Sequence, residues 1–372
     1  MLACKVDYEI KDSDFGITTF TGHYMLPARI GQRLEIMDHR KAVKLLDICN
    51  RAGMCSLTTS GIVNWVTRLY EDGIIAKKVS GGMELQRDFE SYVDLFNRIA
   101  GREDFGDILA DGWYPTSKKI GMDPDYFVPG PGLVKGADSI RYGRFSTLDC
   151  ERFANITNPR PHHGGLESRQ SLAGLPLGML KDDINNMGVS KDEFDRVFEP
   201  TPYYGRFNVA RYAKHCEDVM AAFNSVGTCV STALLPTAEA SSLKLVASLY
   251  SAATGIGIST EELKKLGERA FNLFKLLNVR EGFTRRDDVC PKVWLSPRDS
   301  PDGTKIMMDY YKKKTIILRV DIERLLNDYY NERSGAGIQR MGLPQKRGYL
   351  NWGLKDDEGE KHTGNGTFWL CH

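Results

Sequence analysis

Two hexapeptides in the sequence share one spacing, Asn50-Arg-Ala-Gly53-Met-Cys55 and Asn224-Ser-Val-Gly227-Thr-Cys229. Each follows a stretch of helical apolar periodicity, so each puts an amide, a glycine and a thiol into one helix-terminating turn. Glycine permits the left-handed backbone that such a turn requires. The turn presents main-chain groups and a carboxamide toward a ligand, with a sulfur beside them. Taken singly, either box reads as an ordinary helix stop with a buried cysteine nearby; two boxes at one spacing say more. A second cluster is Arg160-Pro-His162-His163-Gly-Gly165. Two imidazoles in a Gly- and Pro-rich loop suit proton transfer near neutral pH, and the rival reading is a pair in a surface loop. A third is Arg280-Glu-Gly-Phe-Thr-Arg-Arg-Asp-Asp288, which on charge alone reads as a solvated run. His23, His39, His215, His362 and His372 have no companion motif and are expected to be exposed or structural.

Bulk properties limit what these residues can serve. The chain has 372 residues, 41% hydrophobic and 27% charged, which suits two or three packed globular units. A formal net charge of +1 argues against a dedicated nucleic-acid binder, which needs surplus Lys and Arg to displace counterions. No run of about 18 apolar residues is present to span a membrane. The opening Met-Leu-Ala-Cys-Lys-Val-Asp lacks the regions of a signal peptide, so a cytoplasmic address is expected. None of the eight cysteines forms a C-x-x-C pair, which argues against a self-contained zinc site. In a reducing compartment they need no disulfide framework, and Cys49, Cys150, Cys216, Cys290 and Cys371 are expected to be small buried hydrophobes.

The elements that position these residues are mostly helical. The stretch to about Asp38 reads as extended. From His39 the period becomes helical through Cys49 and stops at Gly53. After a turn at Thr58-Thr-Ser-Gly61, a second helix runs to Gly73, and Phe89 to Ile99 make a third that ends at Gly101. A short helix spans Phe105 to Leu109. The Pro/Gly cluster Pro124 to Gly132 marks the clearest boundary, and an irregular polar segment is expected from there to about Tyr204. Helical patterns resume at Val209–Phe223, Leu243–Ala253 and Glu261–Leu277, the last opened by the hydroxyl cap Ser259. A strand is expected within Thr315–Val320, then a last helix capped by Asp321, then an irregular tail after about residue 340. The fold class is therefore all-α and multihelical, in two helical domains, residues 1–128 with a short extended N-terminal piece and residues 129–372.

The paired boxes resemble the D-x-x-G-L-C/D motifs of the aldehyde:ferredoxin oxidoreductase family. Other matches follow in order: Leu109-Ala-Asp-Gly112, Val134-Lys-Gly136, Thr157-Asn-Pro-Arg-Pro-His-His163, and the R-E-G-F-T-R-x-D-D run at Arg280–Asp288. The resemblance covers roughly residues 1 to 300, corresponding to the family's second and third domains. It implies that Asn50 and Gly53, with Asn224 and Gly227, hold the two pterins of a tungsten-bispterin (molybdenum remaining an alternative). Cys229 would then ligate a [4Fe-4S] cluster, and His162 or His163 would stand where the family has its active-site histidine. Cys4-Lys5 occupies the place of the third cysteine of the family's C-x-x-C-x-x-x-C cluster motif. The expected chain thus starts just inside that motif, as a fragment or as one product of a split gene.

Three departures matter. The acidic residue that opens each box is Asn here, which bonds as donor and acceptor rather than as an anion. The first box ends in Cys55 where aldehyde-oxidising members commonly have Asp, and a soft thiolate could ligate tungsten as in the benzoyl-CoA reductase branch. Pro161 replaces a glycine, leaving open which histidine aligns. The implied activity is oxidation of a small aldehyde with electrons passed through the cluster to ferredoxin or an electron-transfer subunit. One alternative is an acyl-CoA-reducing tungsten subunit. Another is a non-catalytic fragment or assembly partner whose missing domain belongs to a separate chain.

Overall fold

A computed structural model describes residues 5–123, 132–138, 147–160, 175–200, 205–228, 242–300, 302–310 and 316–333. Helices dominate it, as the periodicity predicts, and the strands are one hairpin and a few two-residue pairs. The described residues up to 138 form one compact unit and those from 147 onward another.

The first unit opens with β1 (Lys5–Asp12) and β2 (Gly16–His23), an antiparallel hairpin in register from Lys5↔His23 to Asp12↔Gly16. Thr18, Phe20 and Gly22 alternate inward along β2, the two-residue period of a strand with one buried face. A helix, α1 (Leu26–Leu34), follows where an extended chain was expected. Pro27 suits the first helical turn, and Gly31 lies so close to the Ile36 carbonyl oxygen that a Cβ would stand 2.6 Å from it. Two residues that read as breakers therefore start the helix and pack its end. Next, α2 (His39–Arg51) begins where the period changes, with Asp38 accepting from the Arg40 amide as N-cap.

Thr58-Thr-Ser-Gly61 is not a turn but the first half of α3 (Ser56–Glu71), buried on nearly every face. Small polar residues suit that start because their neighbours pack close, and Ser60 Oγ returns its hydrogen bond to the Ser56 carbonyl at 2.7 Å. Around α3 lie α4 (Phe89–Gly101), α5 (Phe105–Ala110) and α6 (Trp113–Ile120), the last unanticipated. Trp65 and Trp113 meet at 5.5 Å in this core, each worth about 3–5 kcal/mol against truncation to Ala. The Val134-Lys-Gly136 step is the tip of a small hairpin, β3 (Leu133–Val134) with β4 (Ala137–Asp138). Lys135 and Gly136 both take positive φ there, as a two-residue hairpin turn demands.

In the second unit, the segment expected to be irregular carries α7 (Cys150–Thr157), α8 (Leu177–Asn185) and α9 (Lys191–Phe198). Each is short, and α9 announces itself only through the Ser190/Glu193 capping box. Helix α10 (Val209–Ser225) is the axis of the unit, buried along almost its whole length. Two long-anticipated helices follow, α11 (Leu243–Thr254) and α12 (Thr260–Arg280), the latter opened by a Ser259/Glu262 capping box. A Cβ on Gly267 would stand 2.0 Å from the Asp218 carbonyl oxygen, so this glycine sets how closely α12 approaches α10.

The chain ends its described course with α13 (Lys292–Leu295) and α14 (Arg319–Arg333). Helix α14 starts at Arg319, within the stretch where a strand was expected, and Ile316 makes only an isolated bridge to Asp309. Asp321 sits in the first turn of α14 and accepts from the Leu318 amide at 2.9 Å. No described helix is long and apolar enough to cross a membrane. Cys49, Cys150, Cys216 and Cys290 are buried, as expected of small hydrophobes; Cys371 and the tail after residue 340 lie outside the described residues.

Candidate functional site

The two boxes close with the same pair of hydrogen bonds. In the first, the Gly53 amide donates to the Asn50 carbonyl at 3.3 Å and the Met54 amide to Cys49 at 2.8 Å. In the second, the Gly227 amide donates to Asn224 at 3.1 Å and the Thr228 amide to Phe223 at 3.0 Å. This is the Schellman turn, and it puts Gly53 at φ 67° and Gly227 at φ 76°. The same turn closes α3 at Gly73 and α12 at Gly282, so the backbone alone does not mark a ligand site. What sets the boxes apart is what the turns carry. Asn50 and Asn224 are exposed, and neither carboxamide makes a hydrogen bond to a described residue. A Cβ on Gly53 or Gly227 would meet nothing within 4 Å, but the same holds at Gly73 and Gly282, so the carboxamide alone makes the difference. An exposed amide that bonds no described residue offers one donor and one acceptor beside the room over a glycine, which is compatible with one edge of a pterin.

Cys55 lies one residue before α3, at its N-cap, and is partly exposed. It therefore stands at the N-terminal, positive end of the helix dipole. Its neighbour Cys49 is different in kind: burial, with the Cys55 sulfur nearby, pushes its thiol up to about 12. The structure thus brings Asn50, Gly53 and Cys55 onto one turn of the first unit, and Asn224 and Gly227 onto one turn of the second. Cys4, His162, His163 and Cys229 lie outside the described residues.

The approach to the histidine pair is described as far as Arg160, and it is held firmly. Asn158 at the end of α7 accepts the Arg160 amide on Oδ1 at 2.7 Å. From α12, Lys275 Nζ donates to the Thr157 carbonyl at 2.6 Å and Asn278 Nδ2 to the Pro159 carbonyl at 2.8 Å. The Arg160 guanidinium lies over the Phe274 ring at 5.1 Å, and burial lowers its pKa. Lys275 also stands 3.6 Å from Asp288, the buried end of the Arg280–Asp288 run. That run is therefore not wholly a solvated face: Arg280, Glu281 and Arg286 are exposed, but Asp288 accepts from Tyr330 in the interior.

Sequence reasoning missed a buried charged cluster. In the middle of α10, Lys214, His215, Glu217 and Asp218 are all buried. Arg333 of α14, itself fully buried, donates to Glu217 at 2.6 Å and to Asp218 at 2.9 Å, while Lys214 pairs with Asp218 at 2.9 Å. Glu217 also accepts from Tyr329 at 2.6 Å and from Thr157 at 3.0 Å. Burial would raise the Asp218 carboxyl, but the Lys214 and Arg333 cations outweigh it and hold it below the usual range. The available signal was the Lys214-His-Cys-Glu-Asp218 run, four polar residues in the middle of a helix that is otherwise mostly apolar. His215, expected to be structural or exposed, is fully buried.

The chain matches known proteins over most of its length. The family model described as aldehyde ferredoxin oxidoreductase, domains 2 and 3, matches residues 1–354. A tungsten-containing aldehyde ferredoxin oxidoreductase from Pyrococcus furiosus is 25% identical over 279 residues, which cover 74% of this chain and 41% of the relative. The WOR-like subunit of an aliphatic sulfonate oxidoreductase from the same organism is 32% identical over 200 residues, 50% of this chain and 31% of that one. In structure, the chain is similar to one in the active-site complex BamBC of benzoyl coenzyme A reductase with 1,5-dienoyl-CoA. The TM-score is 0.64 at 18% identity, covering 90% of this chain and 50% of the other, a likeness of fold. The chain spans about two-fifths of the length of the aldehyde ferredoxin oxidoreductases it matches.

Proposed function

Because the chain belongs to the aldehyde ferredoxin oxidoreductase family, through its domains 2 and 3, we propose that it forms one side of a tungsten-bispterin, iron–sulfur oxidoreductase that oxidises an aldehyde and passes electrons to ferredoxin or an electron-transfer subunit. The observation that supports this reading is the matched pair of turns, each opening on an exposed carboxamide that bonds no described residue, three residues before a glycine. Bound tungsten-pterin supplies the two-electron chemistry and a [4Fe-4S] cluster the one-electron exit, while the chain supplies position and electrostatics. Asn50 and Asn224 bind a pterin edge as donor and acceptor, and Gly53 and Gly227 leave room for it. Cys229 and Cys4 are thiolate ligands for the cluster, which needs four, so further ligands come from outside the described residues or from another chain. His162 or His163 moves the proton. Molybdenum in place of tungsten would use the same residues.

A second reading rests on Cys55. Its partly open thiol at the start of α3 suits direct ligation of a soft metal, and this favours an acyl-CoA substrate handled by a benzoyl-CoA-reductase-like subunit. Metal analysis and a visible-region spectrum of anaerobically purified protein test both. Iron with tungsten in fixed ratio to the chain is expected, alone or with a co-purifying subunit, and Cys229→Ser should bleach the cluster absorbance. A colourless, iron-free protein under both conditions would leave a non-catalytic fragment or assembly partner as the answer. Retention of tungsten in Cys55→Ser would remove the second reading.

A further inference from the structure

We infer that Glu193 of α9, His215 of α10 and Glu332 of α14 form a binding site for a divalent transition-metal ion. The site lies in the second unit, and His215 stands about two and a half turns back along α10 from Asn224. One ligand atom from each residue lies within 4.8 Å of the other two. His215 is fully buried, and neither of its ring nitrogens makes a hydrogen bond. Its Nε2 stands 3.3 Å from Glu332 Oε1. Ligand atoms about 2.0–2.1 Å from a tetrahedral ion stand about 3.3–3.4 Å apart, so His215 and Glu332 already have the spacing of two such ligands.

The third ligand has the freedom to close in. Glu193 Oε2 is fully used, accepting from the Ser190 amide and from Lys264 Nζ at 2.8 Å each. Its Oε1 makes no hydrogen bond among the described residues and keeps its lone pairs. The Glu193 side chain is 23% exposed, which gives an ion a way in to two ligands that are otherwise sealed. Neither ring nitrogen of His215 is committed to another partner, so the imidazole can offer a lone pair to an ion. An imidazole with two carboxylates suits a borderline ion such as Zn2+ or Fe2+ rather than Ca2+ or Cu+.

Two cations already face the site, and they act differently. Arg196 grips Glu332 from one side, at 2.7 and 2.9 Å, leaving a lone pair on Oε1 toward His215; it can stay as an outer partner that fixes the carboxylate. Lys264 instead neutralises Glu193, so its ammonium competes with an incoming ion. Lys214 is engaged by Asp218 at 2.9 Å and Glu268 at 3.3 Å. The competition makes the inference testable by a gain of affinity rather than only by a loss.

The experiment titrates chelator-treated full-length chain with Co2+, followed by its visible d–d bands, and with Zn2+ by calorimetry. One equivalent is expected to bind, about tenfold or more tighter in Lys264→Met and about tenfold or more weaker in Glu193→Gln, with circular dichroism confirming that both variants fold. Three results would overturn the site: no uptake by either the parent chain or Lys264→Met, uptake that Glu193→Gln leaves unchanged, or sulfur-to-cobalt charge-transfer bands showing cysteine ligation instead.

Discussion

The ammonium of Lys275 donates to the main-chain carbonyl of Thr157 at 2.6 Å across 118 residues of sequence, and stands 3.6 Å from Asp288 on its other side. It thereby joins the segment leading to the histidine pair to the end of the Arg280–Asp288 run. Breaking a buried ion pair costs about 3–5 kcal/mol, but Asp288 keeps the Tyr330 hydroxyl and its contact with Lys275 is long. The loss in Lys275→Met should therefore be set mainly by the hydrogen bond, about 1–3 kcal/mol. Urea unfolding measures it. A neutral result would show that Lys275 is not what fixes the Thr157 segment.

Gly267 makes the opposite kind of prediction. Alanine usually gains about 1 kcal/mol over glycine inside a helix. Here its Cβ would stand 2.0 Å from the Asp218 carbonyl oxygen and 2.8 Å from Ala222, backbone and side chain of the facing helix. Overpacking costs about 1–3 kcal/mol and sometimes more, so Gly267→Ala should destabilise despite its better propensity. A rise in melting temperature would contradict the close approach of α12 to α10.

Local signals carried most of the fold and little of its interior chemistry. Helix α2 was legible from Val43, Leu46 and Cys49, and α12 from Ser259 with Glu262, because period and cap are short-range properties. Helix α1 was not, because Pro27 and Gly31 look like breakers until one sees that the first opens the helix and the second lets Ile36 approach. The buried charges of α10 were illegible for another reason. Nothing near Asp218 in the sequence tells that its partner is Arg333, 115 residues on. The boxes could be read as turns, since a turn is local. Whether their amides face a ligand is decided by what does not bond them, which only the fold displays.

His215 should make stability depend on pH in a defined window. Its folded pKa is depressed to about 4 by burial and by Lys214, from an ordinary 6.5. The unfolded chain therefore takes up the proton first, so the contribution is complete above pH 6.5 and is lost as pH falls toward 4. At about 1.4 kcal/mol per unit of displacement this is about 3 kcal/mol. Asp149 opposes it: burial, against the pull of Arg152, raises its carboxyl to about 6, which favours the folded state as pH falls through that value. Glu332 stays ionised throughout, since burial is outweighed by Arg196 and its pKa falls to about 2. The parent chain alone would thus show a flattened profile. The informative quantity is the difference from His215→Gln in chelator-treated buffer, which should shrink by about 3 kcal/mol between pH 7 and pH 4. Parallel curves would mean that the ring is not held neutral.

The boxes allow fold and ligand roles to be separated by two substitutions at each turn. Asn50 and Asn224 are exposed and their carboxamides touch no described partner, so Asn50→Ala and Asn224→Ala should change stability by no more than about 0.5 kcal/mol. Gly53 and Gly227 have equal room for a Cβ, yet their φ angles of 67° and 76° charge any other residue about 1–2 kcal/mol for the left-handed turn. If the turns serve only to stop helices, the glycine variants will matter and the asparagine variants will be silent in every assay. If the amides hold pterins, the asparagine variants will melt like the parent chain but retain less pterin and tungsten per chain after anaerobic purification. The double variant Asn50→Ala/Asn224→Ala should retain least, because each amide serves its own pterin. Unchanged cofactor content in the double variant would leave the paired boxes as helix stops alone.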